Sequence, residues 1–365
     1  MAYRSRYAAP DPGVRRRTSR LRIFLPTLVL LVLFGALAGF WAFATWRAGI
    51  EMDSWLDREA RLGRQWTCPN RQIGGFPFRI EVVCDKPTFS GRGAGRELTG
   101  EMGRVMAVAQ LQAPSHVIME AEGPLTVSSA AGDRLRLEWE LLRASVEGRP
   151  GASLRQFSLE MTKPRVTVSG FGLPESQAQG DMVDLHIRRT PDRPDSDGAY
   201  DVASRGTRLA IPGLDPLLGS ADPIDADIVS TISKAEPLAG GVPAQELERW
   251  RQAGGTLQLT RLALSQGQRR VDANGALGID ELHRPQGKLD VTVSGLDDVL
   301  RRFGLGPKAA NLGGLLAGIL GGGKAQAAPQ ADTPAGPRGL TLPLRLDDGK
   351  AFLGPLPVAR LMPLY

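Results

Sequence analysis

The side chains that could do chemistry are few. Cysteine occurs at Cys68 and Cys84, histidine at His116, His186 and His283. A zinc site needs such ligands close together, and the histidines stand far apart. No C-x-x-C occurs, so a redox-active pair is not expected. In an oxidising compartment two nearby cysteines pair. The segment between them suits a hairpin: Gly74-Gly75 signals a turn, and Phe78-Arg79-Ile80-Glu81-Val82 alternates apolar and polar. A structural Cys68–Cys84 disulfide is the expectation. Asp297-Asp298 and Asp347-Asp348 are paired carboxylates, but neighbours on a strand point to opposite faces, and acids in a first helical turn suit the dipole. Gly91-Arg92-Gly93-Ala94-Gly95 lacks the spacing of a dinucleotide loop and reads as a turn. G-x-S-x-G, P-loop and H-E-x-x-H patterns do not occur. The sequence assigns no catalytic residue, no metal ligand and no cofactor, and the expectation is a non-enzymatic protein.

The elements around these residues say more. The chain has 365 residues, 42% hydrophobic and 23% charged, with 44 Gly and 27 Pro. It is too apolar for a disordered protein, and its turn-forming excess argues against a helical bundle. Seven arginines and one acid, Asp11, in residues 1–22 account for the whole net charge of +6, so the remaining chain is neutral. A neutral body has no field to attract phosphates, and nucleic acid is not expected as a partner.

Residues 23–46 (IFLPTLVLLVLFGALAGFWAFATW) carry no charge. As a helix they reach about 36 Å, enough for a hydrocarbon core of about 30 Å. Pro26 falls in the first turn, and Trp41 and Trp46 lie toward the far end. Arginines before the span put the N-terminus in the cytoplasm. Ala42-Phe43-Ala44 resembles a signal-peptidase site, but the apolar run exceeds a normal signal core, which favours an uncleaved anchor. The expectation is a single-pass inner-membrane protein with its main body in the periplasm.

Beyond the span, residues 50–66 carry Ile50, Trp55, Leu56, Leu62 and Trp66 near helical spacing. Period-two alternation then marks strands at Val105–Leu111, Leu125–Ser129, Leu135–Leu141, Leu154–Met161, Arg165–Ser169, Met182–Arg188, Thr207–Ile211, Thr256–Ser265, Arg269–Leu277 and Gly287–Val293. In Leu135–Leu141, Leu135, Leu137, Trp139 and Leu141 share a face. Asn274-Gly275 is a turn signal that would shorten its strand. Helices are expected over Pro243–Ala253 and Ser294–Phe303. Residues 304–338, including Leu312–Leu320, read as a Gly/Ala/Pro-rich flexible loop. Thr167–Leu173 and Thr292–Leu296 share a V-S-G turn that hints at a repeat.

The division is a basic arm over 1–22, a transmembrane helix over 23–46, a β-rich body over 47–303, the loop over 304–338, and C-terminal strands over 339–365 completing the body. The fold class is mainly β with a few helices (β-rich α+β): a transmembrane helix, then a curled antiparallel sheet or an elongated sandwich or barrel-like body.

Several segments together resemble a known family. They are Gly74-Gly75-Phe76-Pro77-Phe78-Arg79-Ile80 after the anchor, Trp250–Leu257 (WRQAGGTL), Arg284–Leu289 (RPQGKL), Gly295-Leu296-Asp297, Leu342–Gly349 (LPLRLDDG) and Phe352–Pro357 (FLGPLP). In this order they resemble the DUF2125 family of alphaproteobacterial envelope proteins, and more loosely AsmA-type proteins. The first resemblance carries no catalytic residues; the second implies a β-rich periplasmic body and a part in moving or organising envelope lipids.

The functional expectation is an envelope factor whose sheet groove binds or conducts phospholipid or other apolar molecules. Phe76, Phe78, Trp139 and Phe157 are candidate lining residues; packing inside the body would explain them equally. The alternatives are a scaffold pairing its sheet edges with another envelope protein, and a hydrolase with an unrecognised site.

Overall fold

A computed structural model describes residues 20–365 apart from 94, 149–153, 192, 216–219, 239–242, 296–339 and 355. It starts with α1 (Arg20–Arg61), long and apolar enough over its first part to cross a membrane. The apolar run and the amphipathic segment expected after it are one helix, since no proline separates Trp46 from Ile50 and the single Gly49 is tolerated inside it. The helix stops before Trp66. Gly63 takes φ +77°, its N–H donates to Ala60 O at 3.0 Å, and the Arg64 N–H donates to Glu59 O at 2.9 Å. Glycine enters this left-handed cap without strain, and the chain is released into a strand.

Among the described residues, all strand pairing is antiparallel and forms two sheets. One sheet has seven strands, β1 (Gln65–Thr67), β4 (Thr88–Gly93), β5 (Arg96–Glu101), β8 (Leu125–Ser129), β9 (Arg134–Glu138), β12 (Arg165–Gly170) and β13 (Leu173–Gln179), in that order. The other has 15. Its first strands are β2 (Gln72–Gly74), β3 (Arg79–Cys84), β6 (Val105–Gln110), β7 (Ala113–Ala121), β10 (Leu141–Gly148), β11 (Leu154–Thr162) and β14 (Met182–Arg189). It continues through β15 (Tyr200–Leu209), β16 (Ile224–Ile232), β17 (Leu257–Gln266), β18 (Arg269–Ile279) and β19 (Pro285–Ser294) to β20 (Leu340–Asp347), β21 (Lys350–Leu353) and β22 (Leu356–Arg360). The sheets do not close into a barrel.

As far as β14 the chain passes from one sheet to the other after each hairpin, through connections such as Asp85-Lys86-Pro87, Glu122-Gly123-Pro124 and Lys163-Pro164. These connections bond to one another: Met102 N–H to Pro87 O (3.1 Å), Glu122 N–H to Arg104 O (2.8 Å), Glu140 N–H to Thr162 O (2.9 Å) and Lys163 N–H to Asp181 O (2.7 Å). The two sheets are therefore one meander of long strands folded along a crease. Proline there removes a ladder donor, and a Cβ on Gly103 would stand 2.5 Å from Glu122 O, so side-chain-free backbone is needed where the fold tightens. From β15 onward the crease fades into register shifts between Gly206 and Leu209, Val229 and Ser230, and Leu259 and Leu262.

The crease corrects one strand reading. Leu135–Leu141 is not continuous: β9 ends at Glu138 and β10 starts at Leu141, with Trp139-Glu140 at the bend. Leu135 and Leu137 belong to one sheet, Leu141 to the other, so they share no face. The strand placed at Thr207–Ile211 is the end of β15, which starts at Tyr200. Asn274-Gly275 does not shorten β18; Gly275 stays in the ladder opposite Leu289. Helix α2 (Pro243–Gln252) lies where Pro243–Ala253 was expected, and its buried Trp250 donates to Ser233 O at 2.8 Å. The arm to residue 19, the Ser294–Phe303 helix beyond Gly295, Asp297-Asp298, and the 304–338 loop with Leu312–Leu320 lie outside the described residues.

Candidate functional site

Register places residues of like polarity side by side across the large sheet. One row of facing partners runs Val82, Ala107, Met119, Ala144, Leu159, Leu185. It continues Ser204, Ile228, Leu262, Ala273, Val291, Leu342. Two residues along each strand, a flanking row runs Ile80, Ala109, Val117, Val146, Phe157, Ile187 and Val202. One residue along, on the opposite face, the row reads Met106, Glu120, Arg143, Glu160, Asp184, Arg205, Asp227, Ala263 and Asp272. Because side chains alternate along a strand, one surface is apolar from β3 to β20 but for Ser204, and the other carries the charges, with Val108, Ile118, Ala203 and Val229 among them. The charged face is tied laterally, with Arg143–Glu120 at 2.8 Å and Arg205–Asp227 at 3.0 Å.

The apolar face is not sealed like a core. Val82, Met119, Leu159, Leu185 and Leu262 are half-buried, and Ile228 is 37% exposed. Among the described residues, no large side chain is fully buried. A face of this extent left partly open is unusual for a soluble monomer.

At its first end the face becomes a cavity of about 860 Å³. Ala48, Met52, Trp55 and Leu56 of α1 form one wall; Ile80, Val82, Ala107, Val117 and Met119 form the sheet wall. Trp66, Cys68, Cys84, Pro87 and Met102 close the crease side, and Arg47 and Glu51, paired at 2.9 Å, sit at the edge. Trp55 meets Trp66 (5.9 Å between ring centres), and Trp66 meets Phe89 (5.0 Å), so aromatics join α1 to the small sheet. The Cys68–Cys84 disulfide is formed, with Cα atoms 5.2 Å apart, and ties the chain after β1 to the end of β3. It fixes both sheets beside α1.

The other named aromatics fall in different places. Phe157 lies on the apolar face. Trp139 sits in the crease, its indole N–H donating to Ala121 O at 2.7 Å. Phe76 and Phe78 are at the β2–β3 tip and do not line the cavity; Phe76 lies against α1 and Phe78 is exposed. The Phe76 ring meets Phe34 at 5.8 Å and Trp41 at 5.4 Å, edge-on, and the Trp41 indole N–H donates to Arg79 O at 3.0 Å. Sequence reasoning read Trp55 and Leu56 at helical spacing and Ala107 and Ala109 as part of a strand, but named none of them as lining, and it did not find Ala144. Alanines at alternate positions in Val105–Leu111 were the available signal; their sharing a surface with Leu159 and Leu185 depends on register.

Strongly lowered carboxyls occur at a bend, at a turn and in α2, where Glu248 is lowered to about 2 by bonds from Arg251, Tyr365 and Gln252. Asp181, at the β13–β14 crease, has its carboxyl lowered to about 2 by bonds from Arg208 and Lys163, the latter at 2.8 Å. Asp133, in the β8–β9 turn, is lowered to about 2 by Arg96, Ser129 and the Phe171 N–H. Both carboxylates are held by structural partners. Among the described residues, no group of three or more His, Cys, Asp or Glu side chains is arranged to hold a metal ion.

No curated protein and no solved structure matches the chain. A family model described as an uncharacterized protein conserved in bacteria, DUF2125, matches residues 41–362. That span takes in the end of the apolar helix, the cavity, both sheets and the C-terminal strands, and the chain belongs to the DUF2125 family.

Proposed function

We propose that this protein is a non-enzymatic envelope factor, anchored in the inner membrane by α1, that holds or conducts lipid acyl chains along the apolar face of its large sheet. The observation that carries the reading is the row from Val82 to Leu342, apolar but for Ser204 and only half-buried over most of its length. An acyl chain needs a continuous surface without buried polar groups, and burying apolar area stabilises binding by about 25 cal/mol per Å². The cavity against residues 47–56 of α1 puts the start of that surface just beyond the apolar part of the helix, where lipid would enter.

Orientation follows from charge: the arginine arm stays in the cytoplasm, so the body lies in the periplasm, where a disulfide persists. Retention of α1 is supported by its unbroken helix through Ala42-Phe43-Ala44 and by the packing of Phe34 and Trp41 on the body, which cleavage would remove.

The test is lipid extraction and mass spectrometry on the purified full chain, comparing Leu159→Arg with Ser158→Arg. The first places a charge on the apolar face; the second places the same charge one residue away on the polar face. The expected result is co-purifying phospholipid lowered at least tenfold by Leu159→Arg alone. Equal lipid in both variants, each retaining its disulfide, sinks the reading and favours a scaffold that pairs its sheet edges.

A further inference from the structure

We infer that the β2–β3 tip, Gly74–Arg79, is a second membrane contact, a wedge whose Phe76 and Phe78 enter the acyl layer of the periplasmic leaflet beside α1. This rests on the reading that α1 spans the membrane.

The argument is one of depth. A hydrocarbon core of about 30 Å that begins at Ile23 ends about 20 helical residues later, around Trp41–Phe43. Trp41 suits that boundary, and its indole N–H is taken by Arg79 O. Phe76 touches both Trp41 and Phe34, and Phe34 lies about 10 Å deeper along the helix than Trp41. The Phe76 ring is therefore below the boundary. The β2 strand runs alongside α1 toward it, with Arg71 on Asp53 at 2.6 Å and Ile73 packed at Gly49.

The tip has the chemistry of a group made for hydrocarbon. Phe76 is 44% exposed and Phe78 is 66% exposed, a poor arrangement in water. Part of its backbone is already paired: Gly75 O accepts from Arg79 N–H (3.2 Å), Phe78 O accepts from Leu111 N–H (2.9 Å), and Pro77 has no N–H to satisfy. The charged neighbour, Arg79, bonds Glu81 at the boundary, where its side chain can reach the headgroups. The occupant of this surface is thus the leaflet's acyl chains, continuous with those around α1. A wedge there would hold the cavity mouth against the bilayer surface.

The experiment uses the single-thiol route open in a chain whose cysteines are both in a disulfide. Full-length Phe78→Cys is labelled with a polarity-sensitive fluorophore and reconstituted in phosphatidylethanolamine/phosphatidylglycerol vesicles. Some vesicles carry phosphatidylcholine spin-labelled at acyl carbon 5 or carbon 12. Arg92→Cys, on the β4–β5 tip beside the far end of α1, is the water-exposed control. Gln112→Cys, on the neighbouring β6–β7 tip, is a second reporter should Phe78→Cys fail to fold. The expected result is blue-shifted emission at position 78, with quenching by the spin-labelled lipids at least threefold stronger than at Arg92→Cys. At 112, quenching by the carbon-5 label should exceed that by carbon 12. If the chain resists carbonate extraction but neither reporter is quenched beyond the control, the wedge is overturned and the anchor stands. If carbonate releases the chain, the anchor reading itself fails and takes the wedge with it.

Discussion

The large sheet is built differently at its two ends. From β2 to β14 its strands continue around a crease into the seven-stranded sheet, and α1 packs against the first of them. From β15 to β22 the strands remain in one sheet, several of them ten or eleven residues long. Yet the row of facing partners crosses the change unbroken, and the register shifts of β15 to β18 fall beside it. The difference teaches that folding along the crease and presenting an apolar face are separate instructions. The first is written in Gly, Pro and polar residues at the bends, the second in alternation along the strands. The creased end has the means to be rigid and closed by α1; the other extends the same face.

If so, the creased end should be the more easily broken. Removing the disulfide with Cys68→Ser/Cys84→Ser should have the largest effect. Closing a loop of about 15 residues stabilises by about 3 kcal/mol, so the urea midpoint should fall well below wild type. An unchanged midpoint would mean that α1 and the aromatic contacts alone hold that end. Next in size is Gly103→Ala, whose new Cβ meets Glu122 O at 2.5 Å. It should cost about 2 kcal/mol or more, whereas Gly278→Ala in β18, where the nearest atom is 3.9 Å away, should be nearly neutral. Equal losses from the two would erase the distinction between the ends.

Acid sharpens the comparison further. Asp181 and Asp133, in the part built from two sheets, have carboxyls lowered from 3.8 to about 2, while at the other end, among the described residues, Glu248 alone reaches about 2, held down by Arg251. A folded value below the unfolded one stabilises fully above about pH 4, and that contribution is lost as pH falls toward 2. Thermal melts should therefore show Tm dropping from pH 5 to pH 2, and Asp181→Asn should flatten the drop. An unaltered profile would remove Asp181 from the crease's support. The smallest effect is expected at the far end. The Tyr365 hydroxyl donates to Glu248 at 2.9 Å, and its ring stacks on His283. Tyr365→Phe keeps the stack and loses the bond, so Tm should fall by only about 1–2 °C.

The two instructions were unequally legible in the sequence. Alternation read directly as strand where apolar residues are large: the expected Leu154–Met161 and Met182–Arg188 each fall one residue short of β11 and β14. It failed at β4 and β5 of the small sheet, where Thr88–Gly93 is TFSGRG and Arg96–Glu101 is RELTGE; glycine, serine and threonine replace the apolar partners. β16 was missed although Ile224, Ala226 and Ile228 alternate with Asp225 and Asp227, so that signal was present. The crease was not legible at Trp139-Glu140, because a bend between two apolar strands leaves the local pattern intact. Nor was the shared face, since neighbours such as Leu159 and Leu185 are set by register. Phe76 and Phe78 stood out as aromatics, but their position beside Phe34 and Trp41 comes from tertiary packing alone.

The central proposal is a lipid path along one face, and crosslinking from both faces tests it most directly. A photoreactive phenylalanine analogue is placed at Leu159, Leu185 or Leu262 on the apolar face, and at Ser158, His186 or Arg261 on the other. Irradiation in intact cells is followed by mass spectrometry of the purified chain. The account predicts phospholipid adducts at all of the first set and none of the second. Adducts on neither face, or equally on both, would contradict it.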